Sequence, residues 1–242
     1  GSDGNVIANV GDSAEARIND TSKVDEEVTY TVDGSEVSWG TSRTLNVGDG
    51  KFFKIDAKDG KDIITIKSKD SNKSAKINIL IDAGEGDDEI DLSGLVLDDK
   101  YYVIVVGGAG NDRIKGAKGK GKNIIFGDNA VFVYDDKGDI VGIQEVPVDS
   151  GNSGEDYIDL SGSESNNNIV FGGAGNDQIL GGKGNDILIG DGGKVDIKFT
   201  DSSFANAKIS RTSLSNEGGN DTIYGGNGND IIYINIIISR YK

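Results

Sequence analysis

Aspartates set in glycine at a fixed phase are the residues of this 242-residue chain whose types and spacing could do chemistry. Gly-Gly-x-Gly-Asn-Asp recurs at residues 107–112, 172–177, 181–186 and 225–230, and two residues after each copy stands Ile114, Ile179, Leu188 or Ile232. The unit is therefore Gly-Gly-x-Gly-x-Asp-x-U-x, where U is a large aliphatic residue. Glycines at its first, second and fourth positions admit backbone conformations closed to residues with a β-carbon, so successive carbonyls can point to either side of the loop. The chemistry this predicts is cation binding. Calcium takes six to eight oxygens at roughly 2.3–2.6 Å, more than one loop offers. Two loops stacked about 4.8 Å apart, as neighbouring strands are, can complete the shell between them. The aliphatic residue at position eight turns inward and is buried against its neighbours above and below. The same nine residues thus encode an ion site and a core, and the element that must position them is a short strand repeated in a solenoid.

Weaker copies lengthen the array. Residues 83–91 keep Asp88 and Ile90, residues 151–159 keep Asp156 and Ile158, and residues 216–224 keep Asp221 and Ile223. Residues 118–126 replace the aspartate by Asn123 and add lysines, which predicts a weak or empty site. Residues 54–66 align without gaps on residues 80–92, making 57–65 a decayed copy with Asp62 and Ile64. Every copy carries Ile or Leu at position eight. The candidate calcium ligands, by carboxylate or backbone carbonyl, are Gly84, Gly86 and Asp88; Gly107, Ala109, Gly110, Asn111 and Asp112; Gly154 and Asp156; Gly172, Ala174, Gly175, Asn176 and Asp177; Gly182, Gly184 and Asp186; Asp191; Gly219 and Asp221; and Gly226, Gly228 and Asp230.

A longer period is superimposed. Residues 83–130 and 151–193 are one unit written twice, each ending in Gly-Asp (Gly127-Asp128 and Gly190-Asp191). After each Gly-Asp comes an insertion of alternating apolar residues around a polar turn, which predicts hairpins projecting from the solenoid near residues 131–148 and 194–212. Consecutive nonapeptides fall on opposite edges of a two-sided roll. Loops beginning at 57, 83, 107, 151, 172 and 216 are expected in one column, the better calcium ladder, and those at 118, 181 and 225 in the other.

These motifs resemble the RTX (repeats-in-toxin) family over roughly residues 50–233. The resemblance implies an all-β fold, a right-handed parallel β-roll or β-solenoid with calcium-binding turns. It also implies a bacterial protein exported by type I secretion machinery, disordered in the calcium-poor cytoplasm and folded by calcium outside, hence secreted and in some cases attached to the cell surface. Such modules occur in adhesins, surface-layer proteins, cytolysins, proteases and lipases. The inserted hairpins and the lysine-rich loop depart from the family pattern.

Composition agrees. Lys and Arg total 25 against 41 Asp and Glu, a formal charge of −16, which argues against nucleic acid or an anionic membrane as partner. Stacked carboxylates repel without counter-ions, so the apo chain is expected to be loose. A ligand that binds only the folded state adds its binding energy to stability, and extracellular calcium modules bind at roughly 10⁻⁴–10⁻³ M. The absence of Cys excludes disulfides and thiolate sites, and the absence of His excludes a Ser-His-Asp triad and the usual zinc hydrolase sites. No apolar stretch approaches the ~20 residues of a membrane helix; the longest, 231–238, is broken by Asn235. The chain opens Gly-Ser with neither an initiator Met nor a signal peptide, which reads as an excised fragment with a cloning scar.

Residues 1–50 read as short strands, an N-terminal β cap or small β domain ahead of a roll over 51–242, since solenoid ends need covering. Trp39 is expected to pack at that junction. Asp149-Ser150-Gly151 matches half of an aspartic protease signature, but that chemistry needs a second carboxylate sharing the proton. The glycine loops fit neither a phosphate-binding loop nor an EF-hand. Three readings are carried forward: a structural module of a surface-layer protein or adhesin, the C-terminal secretion and folding module of a larger toxin or hydrolase, and an enzyme within the chain, for which no catalytic constellation is present. If copies associate, the hairpins or the terminal strand are the expected surfaces.

Overall fold

Position eight of each repeat decides the architecture, because an Ile or Leu recurring at that phase can be buried only if successive repeats stack. The computed structural model describes residues 6–9, 27–40, 43–134, 136, 140–145, 154–165, 167–196, 208–211 and 219–234. Pro147, the Asp149-Ser150-Gly151 tripeptide, Asn152, residues 216–218 and the apolar run after Ile234 lie outside them. All regular structure among the described residues is β, with no helix long and apolar enough to cross a membrane.

The chain alternates between two sheets, one full turn visiting each once. The first sheet runs, in spatial order, Val6–Asn9, Phe52–Asp56, Asn78–Glu85, Tyr102–Ala109, Lys122–Phe126, Ile169–Phe171, Ile187–Ile189 and Ile231–Tyr233, all parallel. The second stacks Glu27–Asp33, Ile63–Ser68, Glu89–Gly94, Arg113–Lys115, Tyr157–Asp159, Gln178–Leu180 and Thr222–Tyr224 in parallel. Antiparallel strands Glu36–Trp39 and Arg43–Asn46 extend it beyond Glu27–Asp33. The strands before residue 50 thus pair into the same two sheets as the repeats. Tyr30, Val32, Val37 and Val47 belong to the same buried cluster as the repeat aliphatics, and Trp39 lies 6.0 Å from Tyr30, ring centre to ring centre.

Register places like on like. Ile64, Ile90, Ile114, Ile158, Ile179 and Ile223 are successive partners in the second sheet. In the first, Ile55, Ile81, Val105, Ile125, Val170, Leu188 and Ile232 are successive partners. The two files face one another and, up to Leu188, are fully buried apart from Ile223, which packs against them half-buried. Burying such a side chain contributes about 1.5–3 kcal/mol. Ile232, on the last turn, is 41% exposed because no described turn covers it.

The outer faces differ. That of the second sheet is polar, with Arg113 over the Tyr157 ring at 4.3 Å and Lys115 paired with Asp91 at 3.2 Å. That of the first sheet is apolar: Leu80, Tyr102, Ile104, Val106, Ile124, Phe126, Ile169, Phe171 and Ile189 form a second buried cluster. The first insertion covers it, and the second pairs with the first. Ala130–Tyr134, Ile140–Glu145, Gly193–Asp196 and Lys208–Arg211 form one antiparallel sheet in that order, and Ile140 and Ile143 are buried in the second cluster. The insertions were expected to project as separate hairpins. Instead they pair with each other, and Ile140 and Ile143 of the first have an apolar sheet face to cover.

Candidate metal centre

The turns leading from the first sheet to the second stack into one column. Position six of successive turns is Asp62, Asp88, Asp112, Asp156, Asp177 and Asp221, and each of these carboxylates except the first accepts the amide of the aspartate one turn earlier. The distances are 2.7 Å for Asp62 N to Asp88 Oδ1, 2.8 Å for Asp88 N to Asp112 Oδ1 and 2.8 Å for Asp112 N to Asp156 Oδ1. Asp156 N to Asp177 Oδ1 is 2.9 Å, and Asp177 N to Asp221 Oδ1 is 3.1 Å. One oxygen of each carboxylate is therefore a rung-to-rung hydrogen-bond acceptor.

The other oxygen is different. Oδ2 of Asp112, Asp156, Asp177 and Asp221 is buried and accepts no hydrogen bond from the protein. Such an atom costs about 1–3 kcal/mol or more if nothing compensates it. Burial pushes the Asp112 carboxyl up to about 8, with repulsion from Asp88, Asp128 and Asp87 added. Burial, then the charges of Asp112 and Asp128, push Asp156 to about 9. Asp177 also reaches about 9, from burial and then Asp156, Asp221 and Asp128. A file of buried, mutually repelling carboxylates is stable at neutral pH only if positive charge joins it.

Glycine keeps the space beside these oxygens open. A β-carbon on Gly107 would collide with Asp112 Oδ2 and the Gly127 carbonyl oxygen, and one on Gly172 with Asp177 Oδ2 and the Gly190 carbonyl oxygen. At position four, Gly175 has φ +131°, and its α-carbon is backed directly by the Gly154 carbonyl. The donors that converge are carboxylate and carbonyl oxygens alone. Among the described residues no three acidic side chains make a conventional cluster, so each site would combine one carboxylate per turn with backbone carbonyls. Hard oxygen donors, excess negative charge and an orphaned oxygen fit a calcium ion.

The turns leading back from the second sheet to the first form the other column, and there the chemistry changes. Position six is Asn123, Asn168, Asp186 and Asp230. The amides follow the same ladder: Asn123 N to Asn168 Oδ1 at 3.1 Å, Asn168 N to Asp186 Oδ1 at 3.1 Å and Asp186 N to Asp230 Oδ1 at 2.8 Å. At Asn123, Asn168 and Asp186 the second polar atom, however, is satisfied within the protein. Asn123 Nδ2 donates to Ala117 O at 3.2 Å and Ser163 Oγ at 3.3 Å. Asn168 Nδ2 donates to Asp186 Oδ1 at 2.9 Å, and Asp186 Oδ2 accepts Gly182 N at 2.8 Å. A side-chain amide here supplies the donor that a cation would otherwise replace.

Of the residues singled out from sequence, Gly84, Gly86, Asp88, Gly107, Ala109, Gly110, Asn111, Asp112, Gly154, Asp156, Gly172, Ala174, Gly175, Asn176, Asp177, Asp191, Gly219 and Asp221 lie in the first column. Gly182, Gly184, Asp186, Gly226, Gly228 and Asp230 lie in the second. Asn111 and Asn176 present exposed side chains that join turns on the outside. Asn111 Oδ1 accepts Glu155 N, and Asn176 Oδ1 accepts Asn220 N, each at 2.8 Å.

Two points of the loop reading are corrected. The loops assigned to 151–159 and 216–224 do not begin there. Gly108 N donates to Gly127 O at 2.9 Å and Gly173 N to Gly190 O at 3.0 Å, so Gly127 and Gly190 take the first position of those turns. Asp128 and Asp191 take the second, and each insertion is spliced between positions two and four of a loop. The second correction concerns residues 163–171, an unrecognised copy with Asn168 at position six and Val170 at position eight. It lies one nonapeptide before Gly172, a signal hidden by the loss of all its glycines. Asp128 was missed as a site residue, although its equivalence to Asp191 was visible in the longer repeat.

The family model of the RTX calcium-binding nonapeptide repeat matches residues 104–129, 163–194 and 217–233, with 4 copies. The chain carries RTX calcium-binding repeats. These RTX repeats bind calcium; the matched residues include Asp112, Asp177 and Asp221 of the first column and Asn123, Asn168, Asp186 and Asp230 of the second, while the turn of Asp156 lies outside the match. The earlier turns lie outside the match yet continue the same ladder through Asp88 and Asp62. No curated protein and no solved structure matches the chain. When bound, calcium supplies positive charge and a coordination partner for buried oxygens that have none in the protein. The chain's own part is to hold Oδ1 by a backbone amide; Oδ2 of Asp112, Asp156, Asp177 and Asp221, with neighbouring backbone carbonyls, would hold the ion.

Proposed function

We propose that this chain is a calcium-dependent structural module of a secreted or cell-surface protein, a right-handed parallel β-roll that folds on calcium after export, with a surface-layer or adhesive role. The observation that carries the reading is the file of buried Oδ2 atoms at Asp112, Asp156 and Asp177, which have no protein partner and carboxyls shifted far upward. A column of this kind is unstable where calcium is scarce and stable where it is abundant, which is the difference between a cytoplasm and an exterior. Export by type I secretion machinery follows from the RTX resemblance. The strands before residue 50 act as a cap on the first turn, since Glu36–Trp39 and Arg43–Asn46 turn the second sheet antiparallel and end its stacking. A structural rather than catalytic role is supported by the composition: without His or Cys, the buried carboxylates serve the ladder.

Circular dichroism through a calcium titration, with magnesium as control, tests the proposal. A cooperative coil-to-β transition at submillimolar to millimolar calcium, absent with magnesium, is expected. A chain already fully folded in excess chelator would overturn the folding switch.

A further inference from the structure

The roots of the two insertions lie inside the calcium column, and at the first root stands a carboxylate that the nonapeptide pattern does not contain. Position two of that turn, glycine in the consensus, is Asp128, which is only 1% exposed. Its side chain spans two turns. Oδ1 accepts Gly154 N at 3.4 Å across the neck of the insertion, 26 residues further along the chain, and Oδ2 accepts Ala174 N of the following turn at 2.5 Å. A β-carbon at Gly173 would collide with this carboxylate, as one at Gly127 would with Asp156 Oδ2. Asp156 Oδ2, set against Gly127, therefore lies next to Asp128, and the Asp128 charge acts on Asp112, Asp156 and Asp177, which are 2%, 2% and 1% exposed and each keep an unbonded Oδ2.

We propose that Asp128 is an additional calcium ligand of the first column, and that the ion it helps to hold fixes the root of the first insertion, so that calcium loading governs the seating of the four-stranded antiparallel sheet on the outer face of the roll. The inference rests on the calcium reading of the ladder. A carboxylate bound by two amides retains lone pairs for a cation, and an extra charged ligand raises calcium affinity. Ala130–Tyr134 begins two residues after Asp128. It pairs with Ile140–Glu145, whose Ile140 and Ile143 are buried in the same cluster as Phe126 and Phe171. An ordered root therefore shortens the free loop that must close before the apolar faces meet. The device makes the outer layer a calcium-responsive surface rather than a fixed decoration.

The test is hydrogen–deuterium exchange of the full chain through a calcium chloride titration, for the natural sequence, D128N and D156N. In the natural sequence, amides of 130–134 and 140–145 should become protected only as calcium loads. D128N should move their half-point to higher calcium by about tenfold, leaving that of the distant strands Ile63–Ser68 and Glu89–Gly94 in place. D156N should delay ladder and insertion together. An unchanged half-point for 130–134 and 140–145 in D128N would overturn the ligand role. Equal protection of those amides in chelator and in calcium would overturn the coupling while leaving the ladder intact. Absence of calcium-dependent protection anywhere in the natural sequence would instead overturn the reading on which the inference rests.

Discussion

The amide of Asp112 donates to Asp156 Oδ1 at 2.8 Å although the two residues are 44 positions apart in the chain. A whole insertion intervenes, yet the bond has the length of those joining turns with no insertion. The column is therefore continuous, and the stability of any one turn depends on the carboxylates above and below it.

Replacing Asp156 by Asn keeps an acceptor for the Asp112 amide and removes a carboxyl that the chelated fold must either protonate or bury charged. D156N is expected to weaken calcium binding and its cooperativity, and to stabilise the chelated chain by about 1–3 kcal/mol. Urea titrations with and without calcium check both signs. A variant less stable than the natural sequence in chelator would mean that the unbonded Oδ2 carries no penalty.

Acid should substitute for calcium. The carboxyls of Asp112, Asp156 and Asp177 rise in the folded chain to about 8, 9 and 9, so the calcium-free fold binds protons that the unfolded chain has already released. Its stability is full below the ordinary carboxylate range and falls as pH rises from there toward those values. Chelated protein monitored by circular dichroism should gain β signal on acidification from neutral pH. Apparent calcium affinity should drop over the same range, because protons compete for the same oxygens. Progressive loss of β signal toward acid would contradict this.

The second column predicts the opposite response to charge. Asn168→Asp removes a donor that bonds Asp186 Oδ1 at 2.9 Å and sets a carboxylate against a carboxylate. The variant should lose about 1–3 kcal/mol in chelator, seen as a lower thermal midpoint, whereas the notionally similar D156N gains. Equal signs for the two would erase the distinction between an ion-clamped and an amide-clamped edge.

Gly175→Ala meets two obstacles, φ of +131° and the Gly154 carbonyl behind its α-carbon. The backbone conformation alone costs about 1–3 kcal/mol, so the loss measured by urea unfolding in saturating calcium should be at least that large. By contrast Ile114→Ala acts on the core, costing about 2–5 kcal/mol, and the loss should be similar with or without calcium wherever the chain remains folded.

Much of this was legible in the order of residues. Position six and position eight recur at a fixed phase, and both are local properties of a nine-residue unit, so Asp62 through Asp221 and Ile64 through Ile223 could be placed in one column before any coordinates. Residues 163–171 carry no glycine, and so lack the mark by which the other copies are legible. Asn168 and Val170 keep positions six and eight of the ladder with none of the glycines.

What the sequence by itself determined was the repeating rung: a two-sided parallel roll, its inward aliphatic files and its acidic edge. Each follows from the side-chain period and from the oxygen chemistry of the loop, which nine consecutive residues contain. Only the tertiary structure decided that Gly127-Asp128 and Gly190-Asp191 open loops completed by Gly154 and Gly219, that the insertions merge into one sheet over an apolar outer face, and that Asn123 and Asn168 close their own hydrogen bonds. These depend on which turn lies about 4.8 Å above which, a relation between residues far apart in the chain that stacking alone creates.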